Sequence, residues 1–289
     1  MTATISAPVR RGRPFWRGVS MNAVPFVVPY VVMFLLLVVY PVGYGLYLGH
    51  APGNYRSLFN NPTYLRSVVN TLLFVGIGVN VKMFLALLLS GFFAIQRWWS
   101  KALLAVFLLP WAIPAVPGFL SIHFMLNGQW GFINALLESL GVSHPPVWLI
   151  SYGWGFSAAV VAYIWKWLPF WTLILLAART SISSDVYEAA AVDGAVGVRR
   201  FIHITFPLLR NVYITSVLLS TIWTLGNYNA IFFVTGGGPI DSTQVFATLG
   251  IKYAFQVGDV NLGVAVALSA LPVLVPLIVL LVRRLRSSS

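Results

Sequence analysis

Long apolar runs, separated by short polar or basic stretches, set the pattern of this chain. Uninterrupted apolar windows fall near 25–48, 66–95, 100–126, 148–178, 208–235 and 260–282. Each reaches the roughly 20 residues that a membrane-crossing helix needs. The runs are continuous and do not alternate every second residue, which favours helices over the strands of a barrel. The pattern therefore predicts an all-α integral membrane chain. Its six transmembrane helices occupy residues 25–282, between an N-terminal segment 1–24 and a C-terminal tail 283–289. The run from Pro25 to Leu48 is too long for the apolar part of a secretory signal and is expected to be a retained first helix. Between the third and fourth windows, Phe132, Ile133, Leu136, Leu137 and Leu140 recur at helical spacing. They predict a short helix lying along the outer interface.

Composition agrees with the pattern. Mean hydropathy is +0.86 and 8% of residues are charged, whereas soluble domains carry about 25%. A formal charge of +12 raises the question of nucleic acid. Its basic residues, however, are scattered between apolar runs, which is how topology signals are placed, not a phosphate-binding face. Arg10, Arg11, Arg13, Arg17, Arg97, Lys101, Arg179, Arg199, Arg200, Arg210, Arg283, Arg284 and Arg286 fall on one side, and only Arg56, Arg66 and Lys252 on the other. The positive-inside rule then places both termini in the cytoplasm. With no cysteine in the chain, disulfide frameworks and thiolate metal sites are excluded.

Charges gather at "EAAAVDGAVGVRRFIHITFPLL", residues 188–209, on the same side. Asp185 followed by Glu188 has the form of a capping box at a helix start. Gly194 offers a turn, and the helical pattern resumes toward Pro207. The apolar side of the first helix, Val186, Ala189, Ala190 and Val192, is small enough for close approach to a groove in another protein. An ordinary interfacial helix fits the same pattern, so two readings stand on residues alone.

The stretch resembles the EAA loop of permease subunits of bacterial ABC importers. Glu188, Ala189, Ala190, Asp193, Gly194, Ala195, Phe201, Ile204 and Pro207 fall on its pattern. A second segment, "TGGGPIDST" with "YAF" beyond it, is similar to the carbohydrate-importer permeases of the MalF/UgpA type. There Thr235, Gly237, Gly238, Pro239, Ser242, Thr243, Tyr253, Ala254 and Phe255 match. The chain departs from the family in lacking a proline just before the EAA helix and in a short segment between its first two spans.

The resemblance implies the MetI-like fold of type I importer permeases in the bacterial inner membrane. It makes the EAA loop, 180–208, the coupling helix that a cytoplasmic ATPase moves, with Tyr187, Glu188, Ala189, Ala190, Asp193, Gly194 and Ala195 at the contact. Its implied partners are a MalG-like second permease subunit, two ATPase subunits, an extracytoplasmic solute-binding protein and a carbohydrate or related solute.

No G-x-x-x-x-G-K-[ST] loop occurs, so ATP and Mg are expected on partner subunits and no cofactor in this chain. His50, His123, His144 and His203 lack metal-ligand spacing, and no catalytic constellation stands out. The six acids lie in loops or at span ends, which weighs against a proton- or sodium-coupled secondary transporter. A channel, the other alternative, would not need an EAA loop. Lys82 and Lys166 lie inside spans, roughly 20 Å from the cytoplasmic end at the helical rise. Either they face the pathway, which would suit an acidic cargo, or their ammonium groups bind backbone carbonyls and snorkel. Trp223, Asn227, Tyr228 and Asn229 precede the glycine loop. With an aromatic face and amides, this group is the expected solute contact, although a neighbouring helix would also satisfy the amides.

Overall fold

The computed structural model describes residues 24–95 and 97–287. The basic segment around Arg10, Arg11, Arg13 and Arg17 lies outside them. Helix and irregular backbone account for all described residues. Four helices are long and apolar enough to cross a membrane, or six spans if each of two bent pairs counts as one.

Contacts divide the chain after Leu48. Helix α1 (Pro25–Gly49) lies in the first unit except for its last residue, and its long apolar side chains are exposed, as suits a side facing lipid.

The second unit begins with α2 (Pro52–Phe59) and α3 (Pro62–Phe93). Asn61 caps α3 by accepting from the Thr63 amide at 2.9 Å, and Pro62 occupies the first turn, where its missing N–H costs nothing. The expected third span is broken. Helices α4 (Trp98–Ala112) and α5 (Ala115–Met125) meet at 93°. Pro114 lacks an N–H and drives Ile113 into extended backbone (ψ 135°), so the helix stops there. The expected short helix is present as α6 (Phe132–Ser139). Its buried Asn134 accepts from Trp148 Nε1 at 2.7 Å and so ties the outer loop together.

Helix α7 (Tyr152–Thr180) packs along α3. Beyond it come the nine-residue α8 (Ser184–Val192) and the long α9 (Gly197–Leu225). The expected fifth span, 208–235, is also interrupted: α9 ends at Gly226, and α10 (Asn229–Thr235) is a separate short helix. Then follow α11 (Phe246–Ile251), α12 (Val260–Leu268) and α13 (Leu271–Ser287), with a 42° bend between the last two.

Three buried clusters hold this unit together. Phe74, Phe119, Phe156, Tyr163 and Ile231 join α3, α5, α7 and α10. Met83, Leu87, Trp171, Leu175 and Leu209 join α3, α7 and α9. Leu58, Tyr64, Phe246, Leu249 and Val266 join α2, α3, α11 and α12.

The glycine-rich loop after α10 is pinned to the unit by polar contacts. Asn70 Nδ2 of α3 donates to the carbonyls of Ser242 at 2.8 Å and Gln244 at 2.9 Å, and its Oδ1 accepts from the Tyr152 hydroxyl at 2.9 Å. Thr235 and Thr243 share a hydroxyl hydrogen bond of 2.8 Å. Asp241 pairs with Lys252 at 2.5 Å. Partial burial raises the Asp241 carboxyl, but hydrogen bonds from Lys252 and Gln244 outweigh it and hold the group below its ordinary value.

Candidate functional site

Two regions carry the residues singled out from sequence. The first is the surface turn. Ser183, not Asp185, is the N-cap of α8, its hydroxyl accepting from the Asp185 amide at 3.3 Å. Asp185 instead sits in the first turn, where a carboxylate suits the positive end of the helix. At the other end, the Gly194 amide reaches the Ala191 carbonyl at 3.1 Å and the Ala195 amide reaches that of Ala190 at 2.8 Å. This is a Schellman closure, and it places Gly194 at φ +72°, in the left-handed region. Ala190 is buried, while Glu188, Ala189 and Asp193 face outward. Tyr187 is turned inward beneath the Arg200 guanidinium, 5.5 Å from its ring. Large apolar groups stand free around the turn: Val192 is 89% exposed and Val198 73%. Residues 193–196 then connect α8 to α9, which Gly197 starts at φ +56°.

The second region lies where α9 breaks. Trp223 and Asn227 line a cavity of about 150 Å³, together with Tyr163, Trp167 and Trp171 of α7 and Ser220 of α9. The buried Trp167 Nε1 has no hydrogen-bond partner among the described residues. Asn227 has a second task, its Oδ1 accepting from the Ala230 amide at 3.1 Å at the start of α10. Tyr228 stacks on Phe232 at 4.6 Å and Asn229 opens α10, and neither lines this cavity.

Both intramembrane lysines have internal partners. Lys82 is fully buried, its Nζ donating to the Tyr163 hydroxyl at 2.7 Å and lying 4.3 Å from that ring. Tyr163 in turn meets Thr224 Oγ1 at 2.5 Å, and Thr224 donates to the Ser220 carbonyl at 2.5 Å. Lys166 donates to the carbonyls of Pro110 at 2.7 Å and Trp111 at 3.3 Å, and to that of Ile113. It thus caps the carbonyl end of α4 where Pro114 breaks the span, a cation at the negative end of a helix. Lys166 therefore has the backbone-carbonyl partners of the second reading, while Lys82 is held by the hydroxyl of Tyr163, a residue that itself lines the cavity.

The α7 contribution escaped sequence reasoning. Tyr163, Trp167 and Trp171 recur every four residues and so share a face of one helix. That row was the available signal.

Among the described residues the unit is thus helix and irregular backbone, with two expected spans broken and a capped turn ahead of α9. The chain belongs to the family of binding-protein-dependent transport system inner membrane components, which it matches over residues 82–287. It is 35% identical over 215 residues to the trehalose/maltose transport system permease protein MalF of Thermococcus litoralis, covering 74% of this chain and 72% of that one. It is 32% identical over 268 residues to the sulfoquinovosyl glycerol transport system permease protein SmoG of Agrobacterium fabrum, covering 86% and 85%. The structure of a bacterial ABC transporter that imports the acidic polysaccharide alginate shares the fold. Its TM-score is 0.77, with 92% of this chain and 94% of that chain covered at 20% identity. The same kind of transporter has been solved with an alginate pentasaccharide-bound periplasmic protein. The chain is accordingly a permease subunit of an ABC importer, and not an enzyme.

Proposed function

We propose that this chain forms one half of an import pathway for a neutral carbohydrate, opposite a MalG-like second permease subunit. In this reading two ATPase subunits carry ATP and Mg, an extracytoplasmic binding protein delivers the solute, and both termini are cytoplasmic. The observation that carries the solute class is the cavity at the break of α9. Indole and phenol rings supply flat apolar faces, Asn227 and Ser220 supply polar groups, and Trp167 Nε1 is a donor held without a partner. A buried donor left unmade costs free energy that a sugar hydroxyl would recover. The relative named for trehalose/maltose supports the class. The internal partners of Lys82 and Lys166 also favour a neutral solute over an acidic one.

The test is solute-stimulated ATPase activity and direct solute binding in the co-purified, reconstituted complex, challenged with neutral and acidic sugars. Neutral sugars are expected to stimulate. Trp167→Phe removes one hydrogen bond, about 1 kcal/mol, and should weaken solute binding to the complex by about fivefold. Stimulation by acidic sugars alone would overturn the neutral-carbohydrate reading.

The surface turn is the proposed handle for the ATPase. Glu188, Ala189 and Asp193 face outward beside the exposed Val192 and Val198, a mixed polar and apolar tip suited to a cleft in a partner. Because α9 follows the turn in the chain, displacement of the tip shifts the helix that bears Ser220 and Trp223. Alternating access follows if closure of the ATPase pair moves this element and reopening returns it. A β-branched side chain in left-handed backbone costs about 1–2 kcal/mol, which would unmake the Schellman closure. Gly194→Val should therefore lower transport per ATP hydrolysed at least severalfold while membrane insertion is unchanged. Undiminished coupling in that variant would remove this role for the turn.

A further inference from the structure

Beside the surface turn lies a cleft of about 790 Å³. It is open, and lined by the last turns of α3 and α7, the start of α8 and the first turns of α9. Arg179 from α7 and Arg200 from α9 line it, together with Ser181, Ser183 and Ser184. No Asp or Glu is among the lining residues. Among the described residues, neither arginine has a carboxylate within ion-pair distance. Each is instead stacked on an aromatic ring: Arg179 stands 5.8 Å from the ring centre of Phe201, and Arg200 5.5 Å from that of Tyr187. Stacking occupies the faces of a guanidinium and leaves its N–H edges free. Arg179 spends only part of its edge, Nε on Ser90 Oγ at 3.3 Å and Nη2 on the Leu87 carbonyl at 3.4 Å.

We propose that this cleft is an anion site for a phosphate group, whose occupant bridges Arg179 to Arg200 and braces the surface turn against the end of α7. Arginine side chains held in fixed planes match phosphate oxygens in paired hydrogen bonds, and adjacent hydroxyls complete the shell. The site joins the two helices whose relative motion would carry the stroke from the turn to the pathway, so occupancy tunes coupling. Two sources share this chemistry: the headgroup of an anionic phospholipid at the membrane surface, and free phosphate in the cytoplasm.

The test uses the full chain in its co-purified complex. Native mass spectrometry counts retained phosphatidylglycerol, and titration with inorganic phosphate follows thermal stability. The expected result is that Arg179→Gln and Arg200→Gln each weaken binding of one of these probes by about tenfold, the loss of one charge-assisted hydrogen bond. Arg200→Lys keeps the charge but loses the fork, and should fall between wild type and Arg200→Gln, which separates recognition from general folding damage. Phosphatidylglycerol retention assigns a lipid occupant, and a phosphate response alone assigns the free ion. Equal binding of both probes in wild type and all variants would overturn the proposal. So would loss of the ATPase subunits from the arginine variants with no change in either probe, since the arginines would then hold a partner's carboxylates.

Discussion

Tyr163→Phe is expected to destabilise the folded chain by about 2–3 kcal/mol, and adding Lys82→Met to it should recover much of that loss. Lys82 lies fully buried on α3, and its ammonium donates to the Tyr163 hydroxyl at 2.7 Å. The variant keeps the ring, and with it the cation–π contact at 4.3 Å. What disappears is the side-chain oxygen that accepts from the ammonium, and a hydrogen bond to a charged group contributes about 1.5–3 kcal/mol. A charge in such a place is costly once its partner has gone. Lys82→Met alone removes the charge together with its need, at similar volume, and should cost less than about 1.5 kcal/mol. Tyr163 then still reaches Thr224, which is 2.5 Å away. Thermal unfolding of the four purified proteins in detergent closes the double-mutant cycle. Strictly additive losses would show that the two side chains do not depend on each other, and would end this account.

The same pair shows what sequence could and could not say. Six apolar windows, the short helix at Phe132–Ser139 and the surface turn were legible because each rests on local signals: hydrophobic run length, helical spacing and a glycine where backbone must turn left-handed. Lys82 and Lys166 were legible as exceptions within apolar helices. Their partners were not, because Tyr163 is 81 residues from Lys82 and Pro110 is 56 from Lys166. Depth in a span can be counted along the chain, but the direction of a side chain depends on which helix lies beside it. The breaks at Ile113 and Gly226 illustrate a second limit. Proline and glycine were visible there, yet both also occur within membrane helices that continue, as Pro169 does inside α7. Whether a span stops is decided by groups that satisfy the freed carbonyls, and for α4 that group is Lys166. For the solute contacts, hydrogen-bonding type pointed to Trp223 and Asn227 on one helix. The facing wall of Tyr163, Trp167 and Trp171 comes from α7, and only packing brings it opposite.

A comparable loss of stability, about 2 kcal/mol, is expected from Gly263→Ala, although the substitution adds a single methyl group to a helix. Helices α11 and α12 cross at Gly250 and Gly263, both buried. A Cβ at position 263 would lie 2.6 Å from the Gly250 carbonyl oxygen, 2.7 Å from the Ala254 amide nitrogen and 2.8 Å from Ala254 Cβ. Two of these three neighbours are backbone, so no rotamer change makes room and the helices must separate. Overpacking of this kind costs about 1–3 kcal/mol or more, against which the gain in helix propensity from glycine to alanine is about 1 kcal/mol. Separation would also strain what α11 anchors. Phe246 and Leu249 pack against Leu58, Tyr64 and Val266, and Lys252 just beyond holds Asp241 in the glycine-rich loop. Gly250→Ala, whose Cβ meets the Gly263 oxygen at 3.0 Å, should be milder. Gly76→Ala on α3, with open space around its Cβ, should be neutral or slightly stabilising. Size-exclusion profiles and thermal unfolding of the three variants give the order directly. If Gly263→Ala unfolds no earlier than Gly76→Ala, close backbone contact is not what holds α11 to α12, and the burial of Phe246, Leu249 and Val266 suffices.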